Sequence, residues 1–135
     1  LGSLAARFIA SPSSNPERPS PHLTGGAVDL TIADDKGFCL YMGSDLDETT
    51  DRSGTAYYEK RASSGGAMAG KTLEALDNRR MLFAVMTGAG FTNFPDEWWH
   101  FDYGNQNWAF MKGDKTAFYG AVEPCFRWKR DNLKR

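Results

Sequence analysis

Asp96-Glu97-Trp98-Trp99-His100-Phe101 sets a carboxylate and an imidazole three residues apart among aromatic side chains that exclude water. A second imidazole lies in Pro21-His22-Leu23-Thr24-Gly25-Gly26-Ala27-Val28-Asp29-Leu30, followed seven positions later by a carboxylate on an apolar strand. His22 and His100 are the chain's two histidines, so imidazole chemistry must draw on both stretches. A catalytic zinc site takes three protein ligands of nitrogen or oxygen type and leaves the fourth position to water. His22, Asp29 and His100 supply such a set, and Glu97 is then left over as the base. The competing reading makes each histidine a hydrogen-bonded structural residue. It suits either one alone better than the two together, each with an acid at this spacing.

The 135 residues fit one domain, large enough to bury a core without metal or disulfides as its sole support. A bound metal would therefore serve chemistry rather than folding. A net charge of -1 with 24% charged residues gives no basic field for nucleic acid or an anionic membrane, so the expected partner is a small molecule. No run approaches the roughly 18 apolar residues of a membrane span. The first residues also lack a basic segment followed by an apolar core, so the chain as given shows no targeting signal. Cys39 and Cys125 are too few and too far apart for a disulfide framework or a thiolate zinc cluster, and they read as unpaired structural thiols.

In chain order, Leu4, Phe8 and Ile9 mark the end of a short element that begins abruptly. The stretch 11–21 carries four of the six prolines and reads as an extended loop that delivers His22. Val28, Leu30 and Ile32 alternate with Asp29 and Thr31, so burying the aliphatics in a strand turns Asp29 to the other face. A turn at Asp34-Asp35-Lys36-Gly37 should return the chain as a second strand from Phe38 to Met42. The polar stretch from Gly43 to Gly70, with Asp45, Asp47, Glu48 and Asp51, is too long for an ordinary connection. It is either a functional loop or a solvated acidic one.

Leu73 to about Gly88 reads as a helix with Leu82, Val85, Met86 and Ala89 on its apolar face, its Met and Phe residues forming core. Trp98 to Tyr103 reads as a strand with Trp98, His100 and Asp102 on one face and Trp99, Phe101 and Tyr103 on the core face. Glu97 stands at its entrance, where a turn can aim it toward a metal. Trp108 to Met111 and Thr116 to Tyr119 suggest a terminal hairpin around Lys112-Gly113-Asp114-Lys115. The Lys/Arg-rich end to Arg135 reads as a solvated tail. The expected fold class is α+β: a small, mainly antiparallel sheet with packed helices around a single zinc site.

With these residues in view, the chain resembles the VanX-type D-alanyl-D-alanine dipeptidases, which share one zinc fold with the D,D-carboxypeptidases and the Hedgehog signalling domain. Ser20-Pro21-His22-Leu23-Thr24-Gly25-Gly26-Ala27-Val28-Asp29-Leu30-Thr31 is similar to that family's Ser-x-His-x-x-Gly-x-Ala-x-Asp-Leu-Thr motif, and Glu97-Trp98-Trp99-His100 matches its Glu-x-x-His motif. Met42-Gly43-Ser44 followed by Asp47, then Asp51-Arg52-Ser53, Asn78-Arg79-Arg80 and Gly90-Phe91 recur in the family's order. The resemblance covers most of Phe8 to Tyr103.

It implies one Zn2+ per chain held by His22, Asp29 and His100, with Glu97 as general base and Ser20 helping to line the substrate pocket. It implies that Asp47 receives the substrate's free amino terminus. A fixed carboxylate in a closed cavity pairs with an ammonium and rejects longer peptides that carry an amide there, which points to a dipeptidase rather than a carboxypeptidase, and D-Ala-D-Ala as its substrate is what the resemblance implies. The family's upstream arginine, in a Tyr/Gly-Arg-Pro context, has no counterpart before His22, and Arg18-Pro19 matches it poorly by position. The expectation is that a further N-terminal segment of the same protein is missing from this chain. The loop before His22 is also longer than the family needs, and the tail after Tyr103 differs. The alternatives are a zinc D,D-carboxypeptidase or other peptidoglycan peptidase, and a non-catalytic Hedgehog-like zinc binding domain, against which the presence of Glu97 speaks. The compartment stays open between bacterial cytoplasm and periplasm.

Overall fold

His100–Asp102 forms the central strand, β3, of a three-stranded sheet, with β1 (Ala27–Asp29) and β2 (Thr92–Asn93) antiparallel on either side. The structure is a computed structural model that describes residues 13, 15, 17–66 and 68–122. The β1–β3 register sets Ala27 opposite Asp102, Val28 opposite Phe101 and Asp29 opposite His100. Directly opposed residues of an antiparallel pair project to the same face, so Asp29 and His100 meet through the ladder itself. Two further bonds extend the pairing past the strands: Leu30 N donates to Trp99 O at 3.1 Å, and Tyr103 N to Gly26 O at 2.7 Å. Gly26 is required there, because a Cβ would stand 2.5 Å from the Tyr103 carbonyl oxygen.

The strands are shorter than the alternation suggested. Val28 lies on the edge strand and stays 39% exposed, so only Leu30 and Ile32 of the three aliphatics pack against the core. Trp98 and Trp99 precede β3 in a turn and are both buried, while Tyr103 at its end is exposed. The expected return strand at Phe38 to Met42 is reduced to one bridge, Ala33 to Cys39, with Leu40 N bonded to Ile32 O at 2.8 Å. Its turn forms as expected, with the Asp34 side chain accepting from Lys36 N and Phe38 N at 2.9 Å each. Cys39 is exposed and free.

Part of the polar stretch from Gly43 to Gly70 is helical: a 3-10 turn at Asp51–Ser53 leads into α1 (Tyr57–Ser63). Tyr58 secures it by donating its hydroxyl to Gly43 O at 3.2 Å. The long helix α2 (Lys71–Gly88) packs Ala75, Leu76, Arg79 and Leu82 inward with Met86 against the core, so of the expected face Leu82 and Met86 hold while Val85 and Ala89 do not. Val85 is 62% exposed, and Met81 and Phe83 are also on the surface, so of the helix's Met and Phe residues only Met86 reaches the core. The missing apolar position on the true face is Arg79, which is 5% exposed. It lies between the Tyr58 and Trp98 rings, 4.8 and 5.3 Å from their centroids, and donates to the carbonyls of Met42, Arg52 and Gly54. Burial lowers its pKa to about 10, still far above neutrality, so a full charge clamps the loop between these three carbonyls.

The expected terminal hairpin is instead α3 (Gln106–Lys112). Asn105 caps it by accepting from Trp108 N at 3.0 Å, and Gly113 at φ 76° closes it, an N-cap and C′ pair that outranks the short alternation of Trp108 and Phe110. Trp108 and Ala109 are buried and Phe110 is 82% exposed, a helical rather than a strand pattern. The main core gathers Met42, Leu82, Trp98, Trp99 and Phe101, and a second cluster holds Tyr58, Ala75 and Leu76. The element expected over Leu4 to Ile9, the basic tail and Cys125 lie outside the described residues.

Candidate metal centre

His22 arrives on a single 3-10 turn, Pro21–Thr24, with proline at its first position and Gly25 ending it at φ 69°. That turn leads directly into β1, so His22, Asp29 and His100 come from one loop and two paired strands. His100 Nδ1 lies 3.0 Å from Asp29 Oδ1, and His22 Nε2 lies 3.4 Å from Asp29 Oδ2. The two imidazoles meet edge to face with centroids 4.8 Å apart. One ligand atom from each of the three residues falls within 4.8 Å of the others. Donors sharing an ion at about 2.0–2.2 Å stand roughly 3–4 Å apart, and two imidazoles with one carboxylate are a donor set suited to zinc. The residues present therefore fit a metal ion without rearrangement of the backbone.

Glu97 sits in the turn before β3, with its N–H bonded to Phe94 O at 3.1 Å and its carbonyl accepting from His100 N at 3.3 Å. This turn brings Oε2 to 3.8 Å from His100 Nδ1, despite a sequence spacing that would place the pair on opposite faces of a regular strand. Burial pushes the Glu97 carboxyl above its usual range against the pull of His100, and Asp29, Asp47 and Asp96 add to the rise. His22, Asp29, Glu97 and His100 line one cavity of about 630 Å³, which Ser20, Asp47, Phe94 and Trp99 also wall. Asp47 holds φ at 58°, the one non-glycine residue with positive φ among those described. Strain of that kind persists where the surroundings over-determine it, here in a loop pinned by Arg79. Ser20 accepts from Ser13 N at 2.9 Å through its hydroxyl and borders the cavity beside Pro21. A second cavity of about 860 Å³ adjoins across Phe94 and Glu97 but reaches none of the three candidate ligands.

One member of the cluster escaped the sequence reading as a functional group. Asp102 is 1% exposed and lies 3.2 Å from His100 Nε2, on the ring edge opposite Asp29. The signal was present in the shared face of His100 and Asp102, although nothing local told a buried acid from a solvated one.

The charges set a pH dependence for the metal-free protein. Burial alone would lower His100, yet hydrogen bonds to Asp102 and Asp29 outweigh it and raise the group to about 9. Its folded pKa exceeds the unfolded value of about 6.5, so its stabilisation is complete below that pH and vanishes as pH rises through about 9. For Asp29 burial is outweighed by the His100 hydrogen bond and by both imidazole charges, so its pKa is lowered and its contribution is lost only in acid. In excess chelator the thermal midpoint is expected to fall steadily from about pH 6.5 to pH 9. A flat profile over that window would show that His100 carries no proton between the two carboxylates.

The fold and donor set together define a small α+β protein whose sheet gathers three residues that could hold a metal ion. The family model described as Peptidase_M15, D-ala-D-ala dipeptidase, matches residues 5–118, and the chain belongs to that family, which is metal dependent. A D-alanyl-D-alanine dipeptidase from Synechocystis is 38% identical over 120 residues, covering 84% of this chain and 49% of the relative. One from Escherichia coli is 40% identical over 83 residues, 62% of this chain and 37% of the relative, and one from Enterococcus faecalis is 33% identical over 95 residues, 70% and 38%. The chain thus spans half or less of the length of these relatives. Among the described residues no helix is long and apolar enough to cross a membrane.

Proposed function

We propose that this chain carries the centre of a zinc-dependent dipeptidase that hydrolyses D-alanyl-D-alanine. The observation that supports the reading most directly is the convergence of His22, Asp29 and His100 beside a half-buried Glu97 in a cavity that also holds Asp47. When bound, zinc supplies Lewis-acid polarisation of the scissile carbonyl and makes water more acidic. The chain's own residues do the rest. Glu97 accepts a proton from the attacking water as the carbon–oxygen bond forms, and returns it to the amine nitrogen as the carbon–nitrogen bond breaks. Its raised pKa suits both halves of that transfer, since a base and acid works best near the operating pH. Phe94 and Trp99 wall the cavity on the side of the buried His100, where charge interactions are stronger than in bulk water.

Asp47 fixes the substrate by its ammonium group. The clamped loop holds this carboxylate at the cavity wall, so a free amino terminus gains an ion pair and an acylated one leaves the acid unpartnered. The test is hydrolysis of D-Ala-D-Ala by the zinc-loaded protein beside the N-acetylated dipeptide. D-Ala-D-Ala is the expected substrate, and Asp47→Asn is expected to lower the ratio of the two kcat/KM values by about 10-fold or more, equivalent to roughly 1.4 kcal/mol. An unchanged ratio makes Asp47 a solvated loop acid. Preference for the acylated peptide by the parent would point to a D,D-carboxypeptidase, and no hydrolysis of either by zinc-loaded protein would refute the dipeptidase reading.

A further inference from the structure

A buried carboxylate without a cation is costly, and Asp102 is such a group in every respect but one. It is 1% exposed, and among the described residues its ion-pair partner is His100, whose Nε2 lies 3.2 Å from Oδ1. The rest of its surroundings is built to hold it still. Asn105, itself fully buried, donates its side-chain amide to Asp102 Oδ1 at 2.5 Å, and Asn107 donates to Oδ2 at 3.3 Å. Asn105 is held in turn by the helix it caps, through Trp108 N. A rigid line therefore runs from the first turn of α3 through Asn105 and Asp102 to the ring edge of His100 that faces away from Asp29.

We propose that Asp102 is a positioning residue for the metal: it keeps the proton of His100 on Nε2, and so presents the lone pair of Nδ1 toward Asp29 and His22. The inference rests on the metal-site reading and adds a residue to it. An imidazole can bind a cation through either nitrogen, and the nitrogen that donates elsewhere is no longer available. A carboxylate at 3.2 Å from Nε2 settles the choice and makes the opposite nitrogen a better donor. Asn105 and Asn107 occupy both oxygens of Asp102, so the acid cannot swing away to solvate itself. Among the described residues the carboxylate that meets His100 Nε2 is that of Asp102.

The experiment titrates zinc, against a competing chelator, into the parent protein, Asp102→Asn and Asn105→Ser. The second variant guards against a folding defect in the first: serine remains a good helix N-cap but has no amide to give Asp102. Zinc affinity is expected to fall by about 10–100-fold in Asp102→Asn and by a smaller factor in Asn105→Ser, as loss of an outer carboxylate does elsewhere. In the zinc-loaded parent, nitrogen NMR of His100 is expected to show a protonated Nε2 with its hydrogen far downfield, moved upfield in both variants. A purely structural role for Asp102 would lower thermal stability yet leave the parent's Nε2–H resonance in an ordinary position. Parent-like zinc affinity in both variants overturns the inference while leaving the metal site standing. Failure of the parent itself to bind zinc overturns both together.

Discussion

Glu97→Gln is expected to keep the metal and the fold while cutting turnover by about 10²–10⁴-fold, the usual worth of a general base. The amide has the shape of the acid, and the backbone bonds that set the turn, from Glu97 N to Phe94 O and from His100 N to Glu97 O, involve no side chain. Zinc content and the circular dichroism spectrum should therefore match the parent. What changes is proton transfer. The parent carboxyl lies 3.8 Å from His100 Nδ1 and is pushed upward by burial, with three neighbouring acids adding to the shift. Glutamine cannot take a proton from water, so the loss should appear in kcat with little change in KM. Single-turnover assays of D-Ala-D-Ala with metal-loaded protein give the measurement. Activity within about threefold of the parent, far below the factor general-base catalysis commonly supplies, would mean that another group is the base.

The members of the candidate site could be picked out of the sequence because the chain has two histidines and each lies in a short, distinctive stretch with an acid at fixed spacing. Their assembly was less legible. That Asp29 stands opposite His100 is a fact of register, and the alternation of each strand alone cannot say which residues pair. The α+β fold class and the boundaries of the long helix could be read from periodicity and glycine stops, but not which side of the helix is buried. Arg79 shifts that side away from Val85 and Ala89 while Leu82 and Met86 stay on it, since a buried guanidinium satisfied by three carbonyls looks from sequence like a solvated charge. The segment after Tyr103 was misread for the opposite reason. Trp108, Phe110 and their neighbours alternate by accident over a few positions, whereas the helix is decided by Asn105 and Gly113 at its ends. In the acidic loop, α1 was hidden by the glycines and serines on either side of Tyr57–Ser63.

Removing either imidazole is expected to abolish tight zinc binding, and the two variants should differ in everything else. Three donors gathered on one frame bind an ion far more tightly than two, because the frame has already met the entropic cost of bringing them together. His22→Ala and His100→Ala should each leave the purified protein with little zinc, and with no measurable D-Ala-D-Ala hydrolysis at zinc levels that saturate the parent. The His22 side chain is 51% exposed and rests on a short turn, so its loss should leave the metal-free protein's thermal midpoint nearly unchanged. The His100 side chain is 7% exposed and stands between Asp29 and Asp102, with Glu97 close by. Its removal strands the Asp102 carboxylate in the interior, and breaking a buried pair from one side costs on the order of 3 kcal/mol. That variant should therefore be visibly destabilised even in chelator, and Asp102→Asn on the same background should recover part of the loss by removing the stranded charge. Elemental analysis and thermal melts of the variants read both effects. Full zinc occupancy in both single variants would mean that the ion is held elsewhere, and equal destabilisation by the two would mean that the buried pair contributes nothing to the fold.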